Sequence, residues 1–208
     1  MKKCRIITAM LMVVCLAALL MGCGAKRYSF KPEATSVFFT ADGKVKEALF
    51  DTLDKDYLNQ DGLKAFVEEE IAKYNEGMES EPVTLASFEG DKDKAKVLLE
   101  YATFGDYEAF NYNAGQVQDI RTAKMDKLSD SEISLEGDFI KTKDKKAVDL
   151  AEVQKYTKGY AVTGRADSDG DVVVYTEGKI VYVSSNITEV EKNMAKVPAG
   201  EDFTIIYE

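Results

Sequence analysis

Asp167-Ser168-Asp169-Gly170-Asp171 sets three carboxylates at alternate positions around a glycine-containing turn. Oxygens arranged this way can converge on a hard cation such as Ca²⁺, which takes about six to eight of them. The stretch departs from the EF-hand loop, because its glycine comes two residues early and Gly178 falls where that loop needs a bidentate glutamate. The same residue types also build an ordinary hairpin turn. Between strands at 160–166 and 171–176 that plain role is the commoner one, and Asp167, Asp169 and Asp171 enter as candidate calcium ligands beside it.

Other chemistries are closed by composition. The chain has no histidine, so Ser-His-Asp and Cys-His catalysis and ordinary zinc sites lack their usual base and ligand. No serine is followed three residues later by lysine, and there is no Gly-x-Ser-x-Gly elbow. Gly159 to Gly164 has the gap of a phosphate loop, but Arg165 and Ala166 stand where Lys and Ser/Thr belong. A paired-carboxylate hydrolase is compatible with 37 acidic residues, although no tryptophan offers a sugar-stacking platform.

The cysteines give an address. Cys4, Cys15 and Cys23 all lie in the first 23 residues. Met1 to Arg5 is basic, Ile6 to Met21 is almost wholly apolar, and Gly22 and Gly24 flank Cys23. A basic head, an apolar run and a small-residue exit make a secretory signal peptide. The apolar run has 16 residues, short of the roughly 20 that a spanning helix needs. Leu20-Met21-Gly22-Cys23 resembles the lipobox of bacterial lipoproteins, a likeness confined to residues 1–24. The resemblance implies cleavage before Cys23, lipid on its sulfur, and attachment to the cell membrane on the extracytoplasmic side. Residues 1–22 would then be discarded and 23–35 would form the lipidated tether. The domain beyond has no cysteine and must fold on its core alone.

Removing residues 1–22 leaves 24 basic against 37 acidic residues, a net charge of −13 compared with −10 for the whole chain. Such a surface repels nucleic acid and anionic headgroups, so the membrane contact rests on the lipid.

Periodicity supplies the elements. Ser36–Thr40 and Lys44–Phe50 flank Asp42-Gly43, a hairpin signal. After a polar loop at 51–60, Leu63, Phe66, Val67, Ile71 and Tyr74 mark an amphipathic helix over 61–75, with Asn59 or Asp61 at its start and Gly77 at its end. Pro82–Phe88 and Lys94–Thr103 form a second hairpin pattern, and 104–113 a short helix that Thr103 can cap. Residues 114–134 show no clear period and are the place for an internal boundary. A short helix over 149–156 precedes a strand over 160–166. Val172–Thr176 and Lys179–Ser184 around Glu177-Gly178 read as the clearest hairpin in the chain. Ile187, Val190, Met194 and Val197 have helical spacing, with Ser185 or Asn186 as a cap; Asn186 is also part of an Asn-Ile-Thr sequon. Phe203–Tyr207 reads as a terminal strand. Tyr101, Phe104, Tyr107, Phe110 and Tyr112 suit core packing, with a ligand-facing patch as the other use.

These elements define an α+β domain over 36–208, antiparallel sheet with helices to one side. The expected function is a non-catalytic, lipid-anchored binding or envelope-interaction module, with no cofactor beyond the calcium option and an envelope protein as partner. The alternatives are a small solute receptor for a transporter and a carboxylate-dependent envelope hydrolase.

Overall fold

The computed structural model describes residues 30–53, 59–91, 94–113, 120–129, 133–167, 170–187 and 189–208. Local signals act first. β1 (Ser36–Phe39) and β2 (Val45–Thr52) pair antiparallel across Asp42-Gly43, with Gly43 at φ +86°. β3 (Val83–Asp91) and β4 (Lys94–Tyr101) form the second expected hairpin. Between them runs α1 (Gln60–Asn75), where the Asn59 side chain accepts from the Gly62 N–H at 2.7 Å. Its residues Leu63, Val67, Ile71 and Tyr74 pack on the main core. Phe66 points outward and is about half exposed. α2 (Phe104–Asn113) follows β4, with the Asp106 N–H donating to Thr103 Oγ1 at 3.1 Å.

Three segments differ from the sequence expectation. First, the 114–134 stretch, whose structure its weak periodicity left open, contains β5 (Ile120–Lys127). Its pairing slips between Arg121 and Lys124, which breaks the two-residue period that would have marked it as a strand. Second, β9 (Val172–Thr176) and β10 (Ile180–Ser184) do not form a hairpin; they lie in different sheets. The Glu177 N–H bonds to the Phe39 carbonyl, while the Lys179 N–H bonds to the Glu208 carbonyl. Glu177-Gly178 thus passes the chain from one sheet to the other. Third, residues 189–197 are strands β11 (Glu189–Val190) and β12 (Met194–Val197), not a helix. Ala195 and Val197 are buried while Met194 and Lys196 are partly exposed, so burial follows period two.

The remaining elements are β6 (Phe139–Lys141), β7 (Lys146–Val148), the single-turn α3 (Leu150–Val153), β8 (Tyr160–Ala166) and β13 (Asp202–Tyr207). They complete two sheets, a seven-stranded one ordered β11-β12-β9-β1-β2-β4-β3 and a six-stranded one ordered β5-β8-β13-β10-β6-β7. Every pairing is antiparallel except β1 with β9. The class is α+β, as expected. The main core draws Val37, Phe39, Val45 and Leu99 from the larger sheet and Val162, Phe203 and Ile205 from the smaller. A second, smaller core lies on the far side of the six-stranded sheet, where Ala161, Tyr182 and Ile206 meet Phe139 and Val153.

Two details bear on the site. Phe30, from the expected tether, stacks on Phe38 at 5.1 Å and meets Tyr175 edge-on at 5.3 Å, on the outer face of the seven-stranded sheet. At the open edge of that sheet, Asn75 takes the place of a strand: its Nδ2 donates to the Val83 carbonyl at 2.8 Å and its Oδ1 accepts from the Val83 N–H at 3.3 Å.

Candidate functional site

The aspartate turn joins β8 of one sheet to β9 of the other, so it is a crossover and not a hairpin turn. Asp167 Oδ2 lies 2.5 Å from Arg121 Nε on β5. Asp171 Oδ2 lies 3.2 Å from Lys196 Nζ on β12, and its Oδ1 accepts from the Ala199 N–H at 3.4 Å. The hydrogen bond to Asp171 also holds the Lys196 ammonium above its usual pKa. Asp169 falls outside the described residues, as does Cys23. Among the described residues no group of three or more acidic or thiol side chains is gathered as a metal site. Asp167 and Asp171 each tie the crossover to a different strand.

Part of the aromatic group is core, as its spacing suggested. Tyr101, Tyr107 and Phe110 are buried, and Tyr101 meets Tyr107 edge-on at 5.3 Å; Tyr112 stands three-quarters exposed. Beside them sits a polar pair that sequence reading missed. The Tyr101 hydroxyl donates to Glu47 Oε2 at 2.6 Å, and both residues are almost fully buried. Burial, and then the Glu47 charge, push the Tyr101 hydroxyl well above its ordinary pKa. The Asn111 amide donates to the Tyr107 carbonyl at 3.0 Å, and the Ile120 N–H donates to the Tyr107 hydroxyl at 3.4 Å. These bonds fix α2 and β5 on the core. Neither Glu47 nor Tyr101 lines the clefts described next.

The cleft best furnished with polar groups lies on the outer face of the six-stranded sheet and has a volume of about 570 Å³, within the usual range for small-ligand sites. Strand register builds its floor. Lys124 of β5 stands opposite Thr163 of β8, which stands opposite Thr204 of β13. Ser184 of β10 completes the row: its Oγ accepts from the Thr204 N–H at 2.5 Å and donates to the Thr204 carbonyl at 3.2 Å. The segment from Ile133 to Asp138, with Ser185, Asn186 and Asp202, completes the lining. Asn186 caps no helix. Its Nδ2 donates to the Asp202 carbonyl at 2.9 Å, which leaves Oδ1 buried with no hydrogen-bond partner among the described residues. Thr122, at the rim, has φ +52°, a costly conformation for a β-branched residue. The Glu108 carboxylate secures it by accepting the Thr122 N–H at 2.6 Å.

Sequence reading could not assemble this cleft, because its residues come from separate strands. The one local trace is a single serine or threonine on the outer face of each strand, Ser184, Thr163 and Thr204, among mostly apolar neighbours. A second groove of about 1060 Å³ lies between α1 and β3, with Glu76, Glu79 and Glu81 on its lining.

The chain matches no family model, no curated protein and no solved structure.

Proposed function

We propose that this protein is an extracytoplasmic lipoprotein, anchored through lipid on Cys23, whose domain binds ligand or partner at the membrane face without catalysis. The observation that carries this reading is the placement of Leu20-Met21-Gly22-Cys23 behind a basic head and an apolar run. The docking of Phe30 supports it. Only six residues lie between Cys23 and Phe30, a span of about 25 Å at full extension. The outer face of the seven-stranded sheet would then lie near the bilayer. The polar cleft opens on the outer face of the other sheet, across the main core from Phe30. Two acyl chains hold a protein on a membrane stably where one does not, so diacylation of Cys23 suffices for attachment.

The cleft also favours the solute-receptor alternative, since it is concave, hydroxyl-floored and of small-molecule size. Both readings are of a binding protein. The test is metabolic labelling with a fatty-acid analogue, comparing the natural chain with Cys23→Ser. Label on the former and none on the latter is expected, with the variant released from the membrane fraction. Unlabelled natural protein would refute the anchor.

A further inference from the structure

We propose that the outer cleft of the six-stranded sheet binds a short peptide with free ends, its carboxylate at Lys124 and its ammonium at the Asn186–Asp138 end. This deepens the reading of the protein as a binding domain and does not depend on lipidation of Cys23.

The charges set the polarity of the ligand. Lys124 lines one end of the row and has no ion pair among the described residues. At the other end the Asp138 carbonyl accepts from the Ser185 N–H at 2.9 Å, and Asp138, Ser185 and Asn186 all line the cleft. Asn186 Oδ1 is buried there without a donor among the described residues. An orphaned buried acceptor is costly, and an ammonium N–H that reaches it removes that cost. A lone anion or a lone cation satisfies one end only.

The middle of the cleft fits a peptide backbone. Thr163 and Thr204 present hydroxyls whose side-chain oxygens make no hydrogen bond among the described residues. A hydroxyl both donates and accepts, so it can serve a peptide C=O or N–H. From β5 to β10 is three strand spacings, about 14 Å. A tripeptide covers about 10 Å, and the reach of the Lys124 side chain covers the rest. The Thr122 strain belongs to the same design: the slip between Arg121 and Lys124 brings Lys124 opposite Thr163, and bulges commonly re-aim a side chain beside a site.

The test is calorimetric titration of the full-length protein in detergent with trialanine, acetyl-trialanine and trialanine amide, repeated with Lys124→Gln. Saturable one-to-one binding of trialanine is expected, weakened at least tenfold by capping either end. Lys124→Gln should weaken trialanine about tenfold and leave the amide unchanged, which a merely structural role of Lys124 would not produce. A Glu76→Gln/Glu79→Gln variant, which removes charge in the distant α1–β3 groove, should bind trialanine like the natural chain. No saturable binding would overturn the proposal, as would equal loss for free and amidated peptide in Lys124→Gln, or equal loss in the distant variant. Because the titration reads the cleft and fatty-acid labelling reads Cys23, failure of one leaves the other standing.

Discussion

The Tyr101 hydroxyl donates to the Glu47 carboxylate at 2.6 Å inside the main core, joining β4 to β2 through side chains as well as backbone. A carboxylate this deeply buried depends on such donors. Tyr101→Phe keeps the ring and removes one donor, so it should cost about 2 kcal/mol, or roughly 4–8 °C in Tm for a chain of this size. Thermal denaturation at neutral pH checks this; an unchanged Tm would show that the bond contributes nothing.

Alkaline pH should unfold the protein. Burial raises the hydroxyl pKa of Tyr101 and of Tyr207 above the ordinary value near 10. The folded state therefore keeps these protons when the unfolded chain gives them up. The sign follows: their contribution is complete below about pH 10 and is lost as pH rises from there toward the folded values. Each of the two should steepen the fall by about 1.4 kcal/mol per pH unit. Absorbance at the tyrosinate band should show ionisation of this pair coinciding with unfolding; free titration in the folded state would contradict it.

The carboxyl end of β13 runs between two glycines. A Cβ at Gly159, which sits at φ +79°, would collide with the Tyr207 carbonyl oxygen, and one at Gly178 with the Glu208 carbonyl oxygen. Either alanine variant should lose more than about 3 kcal/mol, because backbone must move. Gly137, at φ +84° with open space around it, is the control; its alanine variant should lose only about 1–2 kcal/mol. Urea denaturation of the three variants ranks them.

Asn75 closes the β3 edge at Val83 with both its amide atoms. Asn75→Ala should cost about 1–3 kcal/mol and leave an exposed strand edge, a template for association. Light scattering at rising concentration should detect larger species in the variant and not in the natural chain.

Asp167 and Asp171 are held by Arg121 and Lys196. Addition of 10 mM Ca²⁺, enough to saturate an extracellular-type site about tenfold or more, should therefore leave Tm unchanged. A rise abolished by Asp169→Asn would make the turn a calcium site.

Local chemistry was legible in the sequence and sheet membership was not. Asp42-Gly43, Asn59, Thr103 and the Tyr160–Ala166 strand act through neighbours a few residues away, and each was readable. Glu177-Gly178 looked like a hairpin turn because the flanking patterns are the same whether two strands pair or part. Its function is set by Phe39 and Glu208, which are remote in sequence. The 187–197 segment met helical spacing by coincidence, since β-branched residues at 3 and 4 also satisfy a short strand pair. The cleft was invisible for the same reason as the crossover: Lys124, Thr163, Thr204 and Ser184 become neighbours only through register.

The most direct measurement is the mass of the amino-terminal peptide of the protein extracted from membranes of its own host. Anchoring through Cys23 requires that peptide to begin at Cys23 and to carry a thioether-linked diacylglycerol. A peptide beginning elsewhere, or Cys23 with an unmodified thiol, would contradict it.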